Sequence, residues 1–146
     1  RARAAEALGA LNDVESEPQI VRLLGASDLN TRCAAAKALG ELPARASVNT
    51  LIETARTDEL PVRTWATEAL GKIGGPEALA ALRTFLTDDE RRIRELAATG
   101  LERNSDIGSI DAIRAAADDR SRSEAWSLRR IARKIERQSR DTTPCD

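Results

Sequence analysis

Few residues in this chain have the type and spacing to do chemistry. Carboxylates cluster at Asp88-Asp89-Glu90 and at Asp118-Asp119, where more than one oxygen could touch a divalent cation. Both clusters fall at turns between helical stretches. Acids there cap helix starts and complement the helix dipole, and that is the role assigned to them. Two cysteines, Cys33 and Cys145, stand 112 residues apart. They make neither a four-ligand zinc site nor a disulfide framework, so they read as free thiols in a reducing, cytoplasmic setting. With no histidine in the chain, the usual serine and cysteine hydrolase arrangements and imidazole metal sites drop out. Gly74-Gly75-Pro76 lacks the strand context and the lysine of a phosphate loop. The expectation is a protein that is not an enzyme, with no catalytic residue, metal or cofactor.

What remains is charge and surface. The net charge is −1, which gives no bulk attraction to nucleic acid or anionic lipid. The balance is uneven along the chain, however. Residues 120–140 hold eight basic and two acidic residues, whereas residues 1–119 hold 15 basic and 20 acidic ones. The basic stretch could meet an acidic protein, nucleic-acid phosphate or the acidic side of its own neighbour. The plainer reading is a solvated terminal helix. Only three residues are aromatic: Trp65, Phe85 and Trp126. Trp126 lies in the basic stretch, either as an exposed anchor or bent back onto the core. Trp65 falls among packing positions.

The elements that must position these residues come from an internal period. Shifting the sequence by 31 residues brings columns into register without gaps: Arg1, Arg32, Arg63, Arg94; Ala4, Ala35, Ala66, Ala97; Leu8, Leu39, Leu70, Leu101. Gly9, Gly40 and Gly71 form a fourth column, broken by Glu102, and Ile20, Leu51, Leu82 and Ile113 form a fifth. Each unit reads as two helices. In the third unit the apolar positions Val62, Ala66, Ala69, Leu70 and Ile73 have helical spacing. Gly74-Gly75 then ends that helix, and Pro76 opens a second carrying Leu79, Leu82, Phe85 and Leu86. A helix pair with one apolar face cannot bury it alone, so repeated pairs stack. The units fall near 1–28, 29–59, 60–90 and 91–120. Leu128, Ile131, Ala132 and Ile135 predict a further helix near 123–138, either a cap or half of a unit whose partner is absent. Residues 139–146 read as a polar tail. The chain opens at Arg1, inside a repeat, and reads as a segment of a longer product.

The run Val62-Arg63…Ala66…Glu68-Ala69-Leu70-Gly71-Lys72-Ile73-Gly74-Gly75-Pro76-Glu77-Ala78-Leu79…Leu82 resembles the short bacterial HEAT repeat, also called the PBS-lyase HEAT-like repeat. The resemblance covers about residues 1–118. It implies an all-α, right-handed α-solenoid of about four helix pairs plus a C-terminal helix, with a concave face lined by the second helices. The first unit departs from the pattern in its looser linker, Asn12 to Ser16, and the fourth in Asn104, where other units have leucine or isoleucine. The resemblance also implies that an aspartate in the loop before each column arginine pairs with it along the stack, a structural ladder of Arg32, Asp58, Arg63, Asp89 and Arg94.

Such an array points to a non-catalytic scaffold that binds a protein or peptide. The candidate contact residues are Arg22, Glu53, Arg83 and Arg114 on the second helices, with Trp126, Arg130 and Arg133 on the last helix. Two alternatives stand beside it: a bilin-lyase-like chaperone or lyase subunit, and nucleic-acid binding through the basic terminal helix. The acidic bulk and the shortage of stacking aromatics make nucleic acid the weaker of these. Exposed apolar ends would also allow end-to-end self-association. No apolar run is long enough to span a membrane.

Overall fold

Capping chemistry sets the helix ends. Asp28 accepts a hydrogen bond from the Thr31 N–H at 2.8 Å and starts one helix. Pro18, Pro61 and Pro76 each sit in a first turn, where the missing N–H costs nothing. Gly74 (φ 65°) and Gly75 (φ 87°) supply the left-handed turn that closes another. One repeat later α7 is closed differently: Asn104 caps it, Ser105 takes a positive φ of 50°, and the Asp106 N–H donates to the Leu101 carbonyl.

The computed structural model describes residues 1–10, 14–42, 46–118 and 120–141. Asn12, Asp13, Asp119, Cys145 and the remainder of the expected tail lie outside the described residues. Among the described residues there are nine α-helices, two short 3-10 turns and no strand. The first-type helices are α1 (Ala2–Ala10), α3 (Leu29–Glu41), α5 (Leu60–Ile73) and α7 (Arg91–Arg103). The second-type helices are α2 (Glu17–Leu23), α4 (Val48–Thr57), α6 (Pro76–Phe85) and α8 (Ile110–Asp118). The last helix, α9, is Arg122–Asp141. It therefore continues through 139–141, the start of the stretch read as a polar tail.

The repeat columns become layers of core. Leu39, Leu70 and Leu101 are fully buried, as are Ala35, Ala66 and Ala97, and Ile20, Leu51, Leu82 and Ile113. First-type helices stack directly: α1 on α3, α3 on α5, α5 on α7. The glycine column makes this approach possible. A β-carbon at Gly9 would lie 2.7 Å from the Ala38 Cβ, one at Gly40 2.8 Å from the Ala69 Cα, and one at Gly71 2.8 Å from the Gly100 Cα. Each glycine thus faces a small residue of the next layer. Glu102 interrupts the column, and α7 meets α9 less closely than α5 meets α7.

Packing does not follow the hairpins of the sequence. Each second-type helix lies chiefly against the first-type helix of the following unit: α4 on α5, α6 on α7, α8 on α9. Helix α9 takes the place of a further first-type helix. It covers α8 as α5 covers α4, burying Leu128, Ile131, Ala132 and Ile135. Asn104 also finds its reason here. Its amide donates to the carbonyls of Gly100 (2.7 Å) and Gly71 (2.9 Å), tying the end of α7 to the preceding layer.

Candidate binding surface

The column arginines act as fasteners. Arg32 donates to the Ala26 and Ser27 carbonyls behind it (3.0 and 3.2 Å) and to Asp58 (3.1 Å) and Glu59 (2.7 Å) ahead. Arg63 donates to the Ala55 carbonyl (2.9 Å) and to Asp88 (2.5 Å). Arg94 donates to the Asp88 and Asp89 carbonyls (both 2.8 Å) and grips Glu124 with two bonds of 2.7 and 3.0 Å. The geometry thus differs from the ladder that the resemblance implies. Arg32 and Arg94 take carbonyls from the loop before them, Arg63 takes that of Ala55 near the end of α4, and each arginine reaches a carboxylate at or just before the start of the next first-type helix. Asp58 serves Arg32, not Arg63. Asp89 gives Arg94 its carbonyl and not its carboxylate. The Arg94–Glu124 pair is the most deeply buried rung, with side chains 8% and 7% exposed. The two bonds from Arg94 hold the Glu124 carboxyl below its ordinary range, and Glu124 in turn raises the Arg94 guanidinium. Glu17 has a related role that no column revealed: buried in the first turn of α2, it accepts from the Ser47 N–H at 2.7 Å, at the start of α4.

Arg22, Glu53, Arg83 and Arg114 lie on four successive second-type helices. Arg22 and Glu53 are exposed. Arg83 is not a free contact: it makes a two-bond pair with Asp106 (2.8 and 2.6 Å), and its guanidinium lies over Gly108. In the same column Val21 and Ile52 pack against the core, so the array uses this position for packing and Arg83 for clamping. Arg114 pairs with Glu136 of α9 at 2.5 Å. The acidic clusters are drawn into structure as well. Asp88 holds Arg63 and the Glu90 N–H, and Asp118 holds Arg129. No group of three or more potential metal ligands occurs among the described residues. Burial pushes the Cys33 thiol up, away from the thiolate a nucleophile needs.

The grooves of the surface open between first-type helices. One, of about 290 Å³, is lined by Ala2, Asn30, Cys33, Ala34, Lys37 and Trp65. Lys37 places its ammonium 5.4 Å from the Trp65 ring centre, and Trp65 is partly buried against the core. A second groove, of about 260 Å³, separates α7 from α9 at Leu96, Ala98, Leu128 and Ile131. The face continues onto α9. In the 31-residue register Lys37, Glu68, Thr99 and Arg130 share one column, and Cys33, Thr64, Glu95 and Trp126 share its neighbour. Trp126 is 61% exposed and holds the Arg130 guanidinium 5.6 Å from its ring centre. Trp126, Arg130 and Arg133 thus lie together on one exposed stripe of α9.

Layered helix pairs with a small-residue seam define an α-solenoid repeat protein. The HEAT-repeat family model matches residues 1–71, 33–102 and 61–132 in overlapping windows. The chain belongs to the HEAT-repeat family. Among solved structures it is similar to a chain of the CpcE–CpcF complex of phycocyanin lyase from Nostoc sp. PCC7120. The TM-score is 0.75 and the identity 22%, covering 90% of this chain and 88% of that one. It is also similar to an engineered protein, with a TM-score of 0.60 and 22% identity, covering 91% of this chain and 67% of that one. A comparison with curated protein sequences gives no match. No helix among the described residues is long and apolar enough to cross a membrane.

Proposed function

We propose that this chain is a non-catalytic scaffold that binds a protein or peptide, a cytoplasmic module of a larger bacterial-type protein. The observation that supports this reading is how the reactive-looking side chains are used. Arg32, Arg63, Arg94, Arg83 and Arg114 all fasten helices to one another. What the array offers to solvent is shaped surface along its first-type helices. We favour that face over the second-helix face, where Arg83 and Arg114 are committed to ion pairs while Arg22 and Glu53 are exposed. Photo-crosslinking in cells from position 99, exposed on α7, followed by reconstitution with the purified partner, tests the reading. A Lys37→Glu, Trp65→Ala double variant of unchanged helix content is expected to lose the partner. An unaffected affinity overturns the assignment of this face.

The likeness to the CpcE–CpcF complex supports a second reading, a subunit of a bilin-lyase-like assembly. A fold likeness at this identity is weak ground for an activity, and the chain has few aromatics to enclose a tetrapyrrole. Bilin incubated with the protein is expected to keep its free absorption band; a shifted band would favour the lyase reading.

A further inference from the structure

We infer that α9 docks an acidic amphipathic helix, with one apolar residue of that partner seated on Trp126. This rests on the scaffold reading above and assigns its partner's chemistry. Trp126, Arg130, Arg133, Arg137 and Arg140 follow one another at three- or four-residue steps along α9 and are all exposed. At 1.5 Å per residue the stripe is about 20 Å long, with one cation per turn of about 5.4 Å.

Arg129, Lys134, Glu124 and Glu136 of this helix are already matched within the fold. Arg129 pairs with Asp118, Lys134 with Glu102, and the two buried or half-buried glutamates Glu124 and Glu136 with Arg94 and Arg114. Arg130, Arg133, Arg137 and Arg140 have no carboxylate partner among the described residues. With Glu136 they line an open cup of about 420 Å³. Glu136 is turned to Arg114, so the cup presents four uncompensated guanidiniums.

A solvated terminal helix explains arginines but not Trp126, which exposes 61% of its surface at the head of the same stripe. A large aromatic beside a row of arginines is the composition of an interface centre. The pitch identifies the partner. Carboxylates at successive turns of a second helix repeat at the same 5.4 Å step and meet the arginines in register, as paired charges do along one helix. An extended polyanion fits less well. Residues 1–119 carry a net −5, so a nucleic acid longer than the stripe would run onto repelling surface.

The test uses a fluorescein-labelled helical peptide of about 18 residues, long enough to span the stripe. It bears glutamates at four successive turns and a leucine one turn beyond. Its controls are an isomer of the same composition with the glutamates scattered round the helix, and an oligo-dT of similar length. The stripe peptide is expected to bind, more weakly as salt rises past ~0.1 M, where the Debye length falls to ~10 Å. Arg133→Glu with Arg137→Glu is expected to weaken it roughly tenfold or more, since two attractions become repulsions. Trp126→Ala is expected to weaken it severalfold, with circular dichroism unchanged in every variant. Equal binding of the scattered isomer, tighter binding of oligo-dT, an indifferent double variant, or no binding at low salt would each overturn the inference. The Lys37→Glu, Trp65→Ala variant is expected to bind the peptide normally. A failed peptide test therefore rejects the α9 surface, and a failed partner test rejects the first-helix face, independently of each other.

Discussion

Replacing Gly71 by alanine is expected to destabilise this protein, against the direction that helix propensity gives. Alanine is better than glycine in a helix interior by about 1 kcal/mol, and Gly71 lies within α5. A β-carbon at Gly71, however, would stand 2.8 Å from the Gly100 Cα of α7. Two carbons sit at their optimum near 3.5–4.0 Å, so α7 must retreat by about 1 Å. The atom in the way is backbone, so no side chain can swing aside. Overpacking of this kind costs about 1–3 kcal/mol. The net is a loss of up to about 2 kcal/mol. Gly25 is the internal control. A β-carbon there meets only the Arg22 carbonyl, at an ordinary 3.5 Å. Gly25→Ala should be neutral or stabilising by about 0.4–1 kcal/mol, through the lost freedom of the unfolded chain. Urea unfolding followed by far-ultraviolet circular dichroism compares the two midpoints. If Gly71→Ala is stabilised like Gly25→Ala, the layer spacing is not set by the glycine column, and the account of the seam fails.

Three further outcomes are expected. Leu70→Ala, at a fully buried position, should lose about 2–5 kcal/mol in the same assay; a loss below 1 kcal/mol would mean the layers are not packed to core density. The Arg94–Glu124 pair should give a defined pH dependence. A carboxylate depressed in the fold contributes fully above its unfolded value, near 4.5, and loses that contribution as pH falls through the lower folded value. The stability gap between the protein and Glu124→Gln should thus be widest near neutrality and narrow below about pH 4.5; a gap independent of pH would refute the pairing. Arg83→Ala should cost roughly 1–3 kcal/mol in urea midpoint terms, because the Asp106 side chain, 9% exposed, loses its partner. No loss would return Arg83 to the role of a free surface contact.

The fold was legible because stacking imposes one environment on each column. Leu39, Leu70 and Leu101 solve the same packing problem, so the same residue recurs at 31-residue steps and the period reports the layers. The ladder was legible only in its arginines. Their partners Asp58, Asp88 and Glu124 do not keep the period, because loop conformation decides which carboxylate reaches the guanidinium. Arg83 and Arg114 looked available because the acids that hold them, Asp106 and Glu136, come from other elements. Which helices pair most closely was also hidden. The hairpin is contiguous in sequence, but the tightest neighbour of α4 is α5, across the unit boundary. For Trp126 the sequence left two placements open, and the structure gives the exposed one, on the side of α9 away from the buried Leu128, Ile131 and Ile135.

The interruption of the glycine column has a mechanical side. Helices α1, α3, α5 and α7 are joined backbone to backbone, a stiff connection, since any relative movement compresses atoms already in contact. At Glu102 that connection stops. Helices α8 and α9 hold firmly to each other, but α9 meets α7 less closely than α5 does, and the ion pairs Lys134 to Glu102 and Arg94 to Glu124 span that junction beside the shared core. Bending of the array under thermal or applied load therefore concentrates at this one joint, and a partner that bridges α7 and α9 acts as a splint across it.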